Sequence, residues 1–347
     1  LGLHPADWTN FLASVGAVLL TFLAGTEIDP VSLRQNIKTT FSIGFMSFLL
    51  PFLGATAYTY WVAHWAWPAA LIAGIALSTT SVAVVYAVMV ETGLNKTPLG
   101  KAILTACFIT DLGTVIALGL CFASYNAYLV LFLMVFAAVL IWVPRGFGRV
   151  VDRIGGRVNE VEVKVLLFLL FGLGALATLA SSEAVLPAYG IGLGVAGVLH
   201  RQKLLVTRLR TMAFAFLTPF YFLKAGLYVS LPTVVGGAGL ITLLLGVKVA
   251  AKFIGVKPLT WLFGFTPREG NYMTLLMSTG LTFGTISALF GLNHGQIDQE
   301  QYTILATVVI LSAIIPTLVA QAFFRPAIPD EASCSAEEQP VTSNVLD

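Results

Sequence analysis

Only 10% of the 347 residues are charged and 57% are hydrophobic, whereas a soluble domain carries about 25% charged residues. That composition excludes a soluble protein. The 19 basic against 17 acidic residues exclude a basic nucleic-acid coat and a highly charged disordered chain, which leaves an all-α polytopic membrane protein whose apolar runs cross a bilayer as helices.

A window of about 19 residues resolves eleven apolar segments, at 8–28, 39–63, 68–90, 99–123, 127–144, 164–182, 187–199, 211–229, 232–263, 270–292 and 302–324. The first residue is Leu1, and no basic run with a small-residue cleavage site follows it. A signal peptide is therefore not expected, and the chain is expected to begin inside a longer protein. The seventh segment is short and rich in glycine (Gly190, Gly192, Gly194, Gly197). The ninth is long enough to tilt or bend before Pro258. Residues 325–347 are rich in Ser, Glu and Pro and are expected to form a disordered cytoplasmic tail.

Basic residues orient the segments. Connections after odd-numbered segments, with the segment ends that flank them, and the tail hold all of the 19 Lys and Arg except Lys224, Lys248 and Lys252, which lie deeper within segments. Connections after even-numbered segments hold none. The odd-numbered connections are thus expected to be cytoplasmic, with Leu1 outside and Asp347 inside. Cys107 and Cys121, 14 residues apart on one expected helix, stand roughly 21 Å apart at 1.5 Å per residue and cannot bridge. They read as ordinary small helix residues.

Deep charge marks function. Asp111 sits near the middle of the fourth segment, in ILTACFITDLGTVIALGL. An Asp at a helix centre costs roughly 2.5–3.5 kcal/mol on insertion scales, so it should face the bundle interior or a wet cavity. Lys248 and Lys252, in LLLGVKVAAKFIGV, are four residues apart on one helix face and are its candidate charge partners. Lys224 is expected to snorkel outward.

Two segments carry polar interruptions. The third contains Ser78-Thr79-Thr80-Ser81, and the tenth contains Ser278-Thr279-Gly280-Leu281-Thr282. Hydroxyl side chains compete for backbone groups and glycine loosens the helix. Unwound backbone at membrane depth survives only where protein or a wet cavity satisfies it. Each interruption falls in the middle member of a triplet, segments 2–4 and 9–11, and the triplets run in opposite directions. That is the plan of two inverted three-helix repeats with broken middle helices, as in secondary transporters. Thr79, Thr279, Gly280 and Thr282 are the candidate helix-break residues.

The stretches LLTFLAGTEIDP (19–30), STTSVAVVYAVMVETG (78–93), ACFITDLGTV (106–115), FLTPFYFLKAGLYVSLP (216–232), KFIGV (252–256) and MSTGLTFGTISALFGL (277–292) resemble the monovalent cation:proton antiporter superfamily, in its sodium/proton branch close to NapA-type antiporters. The resemblance covers most of the chain, in the family's order. It implies a homodimer in the cell membrane. It implies a mobile core, 39–123 and 232–324, against dimerisation and scaffold helices, 1–38 and 124–231. It assigns the ion-binding carboxylate to Asp111, with Thr80, Ser81 and Thr110 beside it. Lys252 fits the family's basic position better than Lys248. Two departures stand out. Thr110 replaces an acid that many electrogenic members carry, and family members usually have one or two further helices before the region matching Leu1.

The expected mechanism is competition at Asp111. A dehydrated Na⁺ needs oxygen ligands, which a carboxylate, hydroxyls and carbonyls supply. A protonated, neutral Asp111 binds cations poorly, so proton and Na⁺ (or Li⁺) displace each other. Movement of the loaded core then gives alternating access. The transported Na⁺ and H⁺ are the small-molecule partners; no cofactor, catalytic residue or nucleic acid is expected. K⁺/H⁺ exchange by the same carboxylate is the alternative. A cation channel would call for a filter loop or charge ring, and an intramembrane aspartyl protease for a second deep acid; neither is evident.

Overall fold

The computed structural model describes residues 7–26, 37–122, 127–154, 161–179, 185–199 and 203–326. Every regular element among them is helical. In chain order these are α1 (Asp7–Thr26), α2 (Ile37–Trp61), α3 (Trp67–Ser78), α4 (Val82–Glu91), α5 (Pro98–Phe122), α6 (Ala127–Ile154), α7 (Val161–Leu179) and α8 (Val185–Leu199). Then come α9 (Lys203–Met212), α10 (Thr218–Leu227), α11 (Leu231–Gly236), α12 (Ala238–Leu262), α13 (Pro267–Met277), α14 (Thr282–Asn293) and α15 (Gln299–Phe323). The expected tail beyond residue 326, and Leu1, lie outside the described residues.

Nine spans among the described residues are long and apolar enough to cross a membrane, with α3–α4 and α13–α14 each counted as one interrupted span. The sequence reading gives eleven, and the difference has local causes. The seventh segment forms α8, whose 15 residues reach only about 22 Å, short of a hydrocarbon core of about 30 Å. In the eighth, the π turn Ala213–Leu217 separates α9 from α10. Pro219 near the start of α10 has no N–H to give, and the Thr218 N–H returns five residues to the Ala213 carbonyl. The ninth keeps its span as α12 but is not one helix, because the Gly236-Gly237 pair ends α11 before α12 begins.

Starts are set by local chemistry. At α13, Thr266 Oγ1 accepts from Glu269 N while Glu269 Oε2 accepts from Thr266 N, at 3.3 and 2.9 Å. Asp298 and Gln301 make the same reciprocal pair at α15, at 2.8 and 3.1 Å. Each pair satisfies donors that a helix start leaves open.

Two apolar clusters organise the packing. The larger joins α2–α5 to α12–α15, with a few side chains from α1, α8 and α10. The second joins α1 to α6, α7, α8 and α9. Within the larger one, α2 packs on α12, α3 on α14 and α15, and α5 on α13 and α14. Lipid gives no hydrophobic drive between helices, so close van der Waals contact must hold them. Gly284 on α14 permits one such contact: a Cβ there would lie 2.9 Å from the Ala76 carbonyl oxygen of α3 and 2.8 Å from Val309. The two interrupted spans are the most enclosed, with 72% and 78% of their apolar windows buried against 17% for α6. Opened backbone therefore sits in protein rather than facing lipid, as its unpaired groups require.

Candidate ion-binding site at two crossed helix breaks

α3 ends at Ser78, and Thr79-Thr80-Ser81 run extended before α4, with ψ of 153° at Thr79 and 103° at Ser81. α13 ends at Met277, and the chain reopens as α14 only at Thr282. The two breaks meet. Ser81 N donates to the Thr279 carbonyl at 3.0 Å, and Thr80 Oγ1 donates to the Met277 carbonyl at 2.9 Å. Each break thus supplies the partners that the other's unwound backbone lacks. Ser81 Oγ also caps α4 by accepting from Val84 N at 3.4 Å.

α12 crosses this junction and contributes both lysines, each fully buried. Lys252 Nζ donates to Ser47 Oγ at 2.8 Å, to the Ser78 carbonyl at 2.9 Å and to Thr80 Oγ1 at 3.1 Å. Its ammonium is a monovalent cation in a cradle of three oxygens. It also caps the C-terminal end of α3, where the helix dipole favours positive charge. Lys248 Nζ serves the other break. It donates to Ser312 Oγ at 3.0 Å, and Ser312 Oγ lies 3.5 Å from the Gly280 carbonyl. A Cβ at position 280 would collide with Lys248 Nζ and come within 3.0 Å of Thr79 Oγ1, so any side chain there has to displace the Lys248 ammonium.

Asp111 lies mid-way along α5, 1% exposed. Its carboxylate is within electrostatic reach of Lys252, Cys107 and Tyr189. Thr110 directs its hydroxyl to carbonyls of its own helix and of α2, Ala106 at 3.0 Å and Gly44 at 3.2 Å. One turn before Asp111, Cys107 Sγ sits 3.6 Å from Met277 Sδ. On α8, the Tyr189 hydroxyl donates to the Phe108 carbonyl at 3.0 Å.

The structure therefore joins Thr80, Ser81, Thr279 and Lys252 directly, and joins Lys248 to Gly280 through Ser312. Thr79 and Thr279 spend their hydroxyls on carbonyls of their own helices, Ala76 and Leu276. Thr282 is the first residue of α14 rather than part of the opened stretch. Three participants escaped the sequence reading: Ser47, Ser312 and Met277. The two serines are single hydroxyls in aliphatic runs, FMSFLL and VILSAII, and that isolation was the available signal.

The transmembrane sodium/hydrogen exchanger family matches residues 1–325. The chain belongs to this family. Secondary active sodium/proton antiport is the activity typical of such exchangers, which are transporters and not enzymes. A probable Na⁺/H⁺ antiporter of Methanocaldococcus jannaschii is 26% identical over 333 residues, covering 92% of this chain and 85% of the relative. The Na⁺/H⁺ antiporter NhaS4 of Synechocystis is 26% identical over 356 residues, covering 93% and 85%. Among solved structures, the sodium proton antiporter MjNhaP1 of Methanocaldococcus jannaschii shares the fold with a TM-score of 0.60 at 14% identity, over 93% of this chain and 88% of that one. In the present chain the oxygens at the crossing are hydroxyls and carbonyls, with the Asp111 carboxylate within electrostatic reach of Lys252, and all are hard oxygen donors.

Proposed function

We propose that the protein exchanges Na⁺ or Li⁺ for H⁺ across the cell membrane by alternating access, with Asp111 as the carboxylate at which cation and proton compete. The observation that carries this reading is the burial of Asp111 within electrostatic reach of a lysine whose ammonium occupies an oxygen cradle at the first of two crossed helix breaks. Thr80 and the Ser78 carbonyl are the oxygens that a dehydrated Na⁺ would take over from Lys252. Ser81 and Thr110 hold the backbone around them.

The mobile core comprises 39–123 and 232–324, two inverted three-helix repeats. The scaffold and dimerisation part comprises 1–38 and 124–231, and two copies form a homodimer. The separate apolar clusters of α2–α5 with α12–α15 and of α1 with α6–α9 support this division. Connections after odd-numbered segments are cytoplasmic, which the distribution of Lys and Arg supports.

Proton flux in reconstituted vesicles, under separate Na⁺, Li⁺ and K⁺ gradients with the membrane potential clamped, tests the reading. Na⁺ and Li⁺ gradients should drive saturable, opposing proton movement. A response to K⁺ alone would make the protein a K⁺/H⁺ antiporter. Na⁺ passage without countermoving protons would make it a channel and sink the proposal.

A further inference from the structure

Lys224 stands apart from the site described above. The sequence reading sends it outward to the interface, yet the structure buries it on α10 at 7% exposure. It makes no hydrogen bond or ion pair among the described residues. Tyr221, one turn earlier on the same face, is also buried, and its hydroxyl has no hydrogen-bond partner among the described residues. Both residues line one cleft of about 120 Å³, walled by Ala17 of α1 and by Leu289, Phe290 and Asn293 of α14. No carboxylate lines it among the described residues.

An ammonium that opens only into a narrow cleft, with no acceptor among the described residues, loses much of its hydration, and an anion offsets that cost better than any neutral group. The remaining walls are largely apolar, so the anion that fits has an apolar body. An enclosed cavity of about 150 Å³ holds benzene, so this cleft, smaller but open on one side, takes at most one small ring. We propose that this cleft binds a small organic anion, with its acidic head on the Lys224 ammonium and Tyr221 hydroxyl and its apolar body between Ala17 and Phe290. The site lies between α14, which continues from the second break, and the pair α1 and α10. An occupant bridges the two and holds them in one arrangement, slowing transport. That consequence rests on the antiport reading; the binding itself does not.

Benzenesulfonate is a suitable probe because it is permanently charged and does not carry protons across membranes. Methyl phenyl sulfone is its neutral counterpart. With the purified full chain, benzenesulfonate should bind by calorimetry and raise the melting temperature, and the sulfone should do neither. Lys224→Met should weaken benzenesulfonate binding roughly tenfold or more, while Lys224→Arg keeps it within a few-fold. Because Lys224→Met removes a buried charge, it should fold at least as well as the parent. Equal stabilisation by the neutral sulfone, or undiminished binding to Lys224→Met, overturns the site. In oriented vesicles, outside benzenesulfonate should slow Na⁺-driven proton flux in the parent and leave Lys224→Met unaffected. Binding without slowing overturns the bridging step. Absence of Na⁺-driven flux before any anion is added counts against the antiport reading alone, and the binding measurement still stands.

Discussion

Thr80→Val tests the crossing most directly, with Thr79→Val as its neighbour and control. Valine keeps the volume and branching of threonine and removes only the hydroxyl. At position 80 that hydroxyl holds two partners on other elements. It donates to the Met277 carbonyl at 2.9 Å and accepts from Lys252 Nζ at 3.1 Å. Losing it orphans a buried carbonyl, at a cost of about 1–3 kcal/mol, and removes a charge-assisted bond of about 1.5–3 kcal/mol. The two terms share a site and do not add, so the net cost is about 2–4 kcal/mol. At position 79 the hydroxyl returns three residues to the Ala76 carbonyl of its own helix, and its loss costs about 1 kcal/mol or less. Melting of the purified protein should therefore separate the variants clearly, with Thr80→Val the lower. In vesicles, Thr80→Val should also raise the half-saturating Na⁺ concentration roughly tenfold, equivalent to about 1.4 kcal/mol, and Thr79→Val should shift it less than about twofold. Equal effects in both assays would refute the idea that Thr80 ties the breaks together and contributes an oxygen to the cation.

Asp111→Asn should insert and melt near the parent and show no Na⁺-dependent proton movement; full exchange by this variant would remove Asp111 from the mechanism. Asp111→Glu should keep exchange with altered Na⁺ affinity. In the parent, the proposed contest of proton and Na⁺ for Asp111 should make apparent Na⁺ affinity weaken as pH falls, and a pH-independent half-saturation would contradict it. Lys248→Ala removes the bond to Ser312 and should lower the melting temperature while leaving the voltage response of transport as in the parent. Gly284→Leu places a side chain where the Ala76 carbonyl and Val309 already stand; overpacking of this kind costs about 1–3 kcal/mol and should appear as reduced yield and a lower melting temperature.

The spans and the breaks were legible in the sequence for different reasons. Spans follow from hydropathy, which is local. The breaks follow from Ser78-Thr79-Thr80-Ser81 and from Ser278-Thr279-Gly280, where hydroxyls and glycine gather in aliphatic surroundings. Asp111 and the lysine pair stood out because charge is rare at membrane depth. The pairing of each lysine with one break was not legible, because it depends on where α12 crosses α3 and α13 in space. Ser47 and Ser312 belong to that same level of information: their partners are 205 and 64 residues away in the chain. The interruption of the eighth and ninth segments was missed because a hydropathy window averages over a π turn and over the Gly236-Gly237 pair alike.

Thr110 stands where the family resemblance places an acid in many electrogenic members, and this bears on how many charges move. The buried cluster holds Asp111 with two lysines, and Lys252 occupies three oxygens of which the Ser78 carbonyl and Thr80 hydroxyl are those a Na⁺ at the break would use. Sodium cannot take these oxygens while a charged ammonium keeps them. Swinging the ammonium away whole would strip it of three acceptors inside a fully buried site, which is costly. Releasing its proton in place is the cheaper route, since a neutral amine yields the oxygens without carrying charge through the protein. One proton from Asp111 and one from Lys252 would then leave for each Na⁺ bound, and one net charge would cross per cycle. Proton flux in the parent should accordingly quicken or slow as the potential is stepped. Lys252→Ala, if it folds and exchanges, should move one proton per Na⁺ and ignore the potential. Indifference of the parent to potential would show that Thr110 has made the exchanger electroneutral, and that Lys252 keeps its proton throughout the cycle.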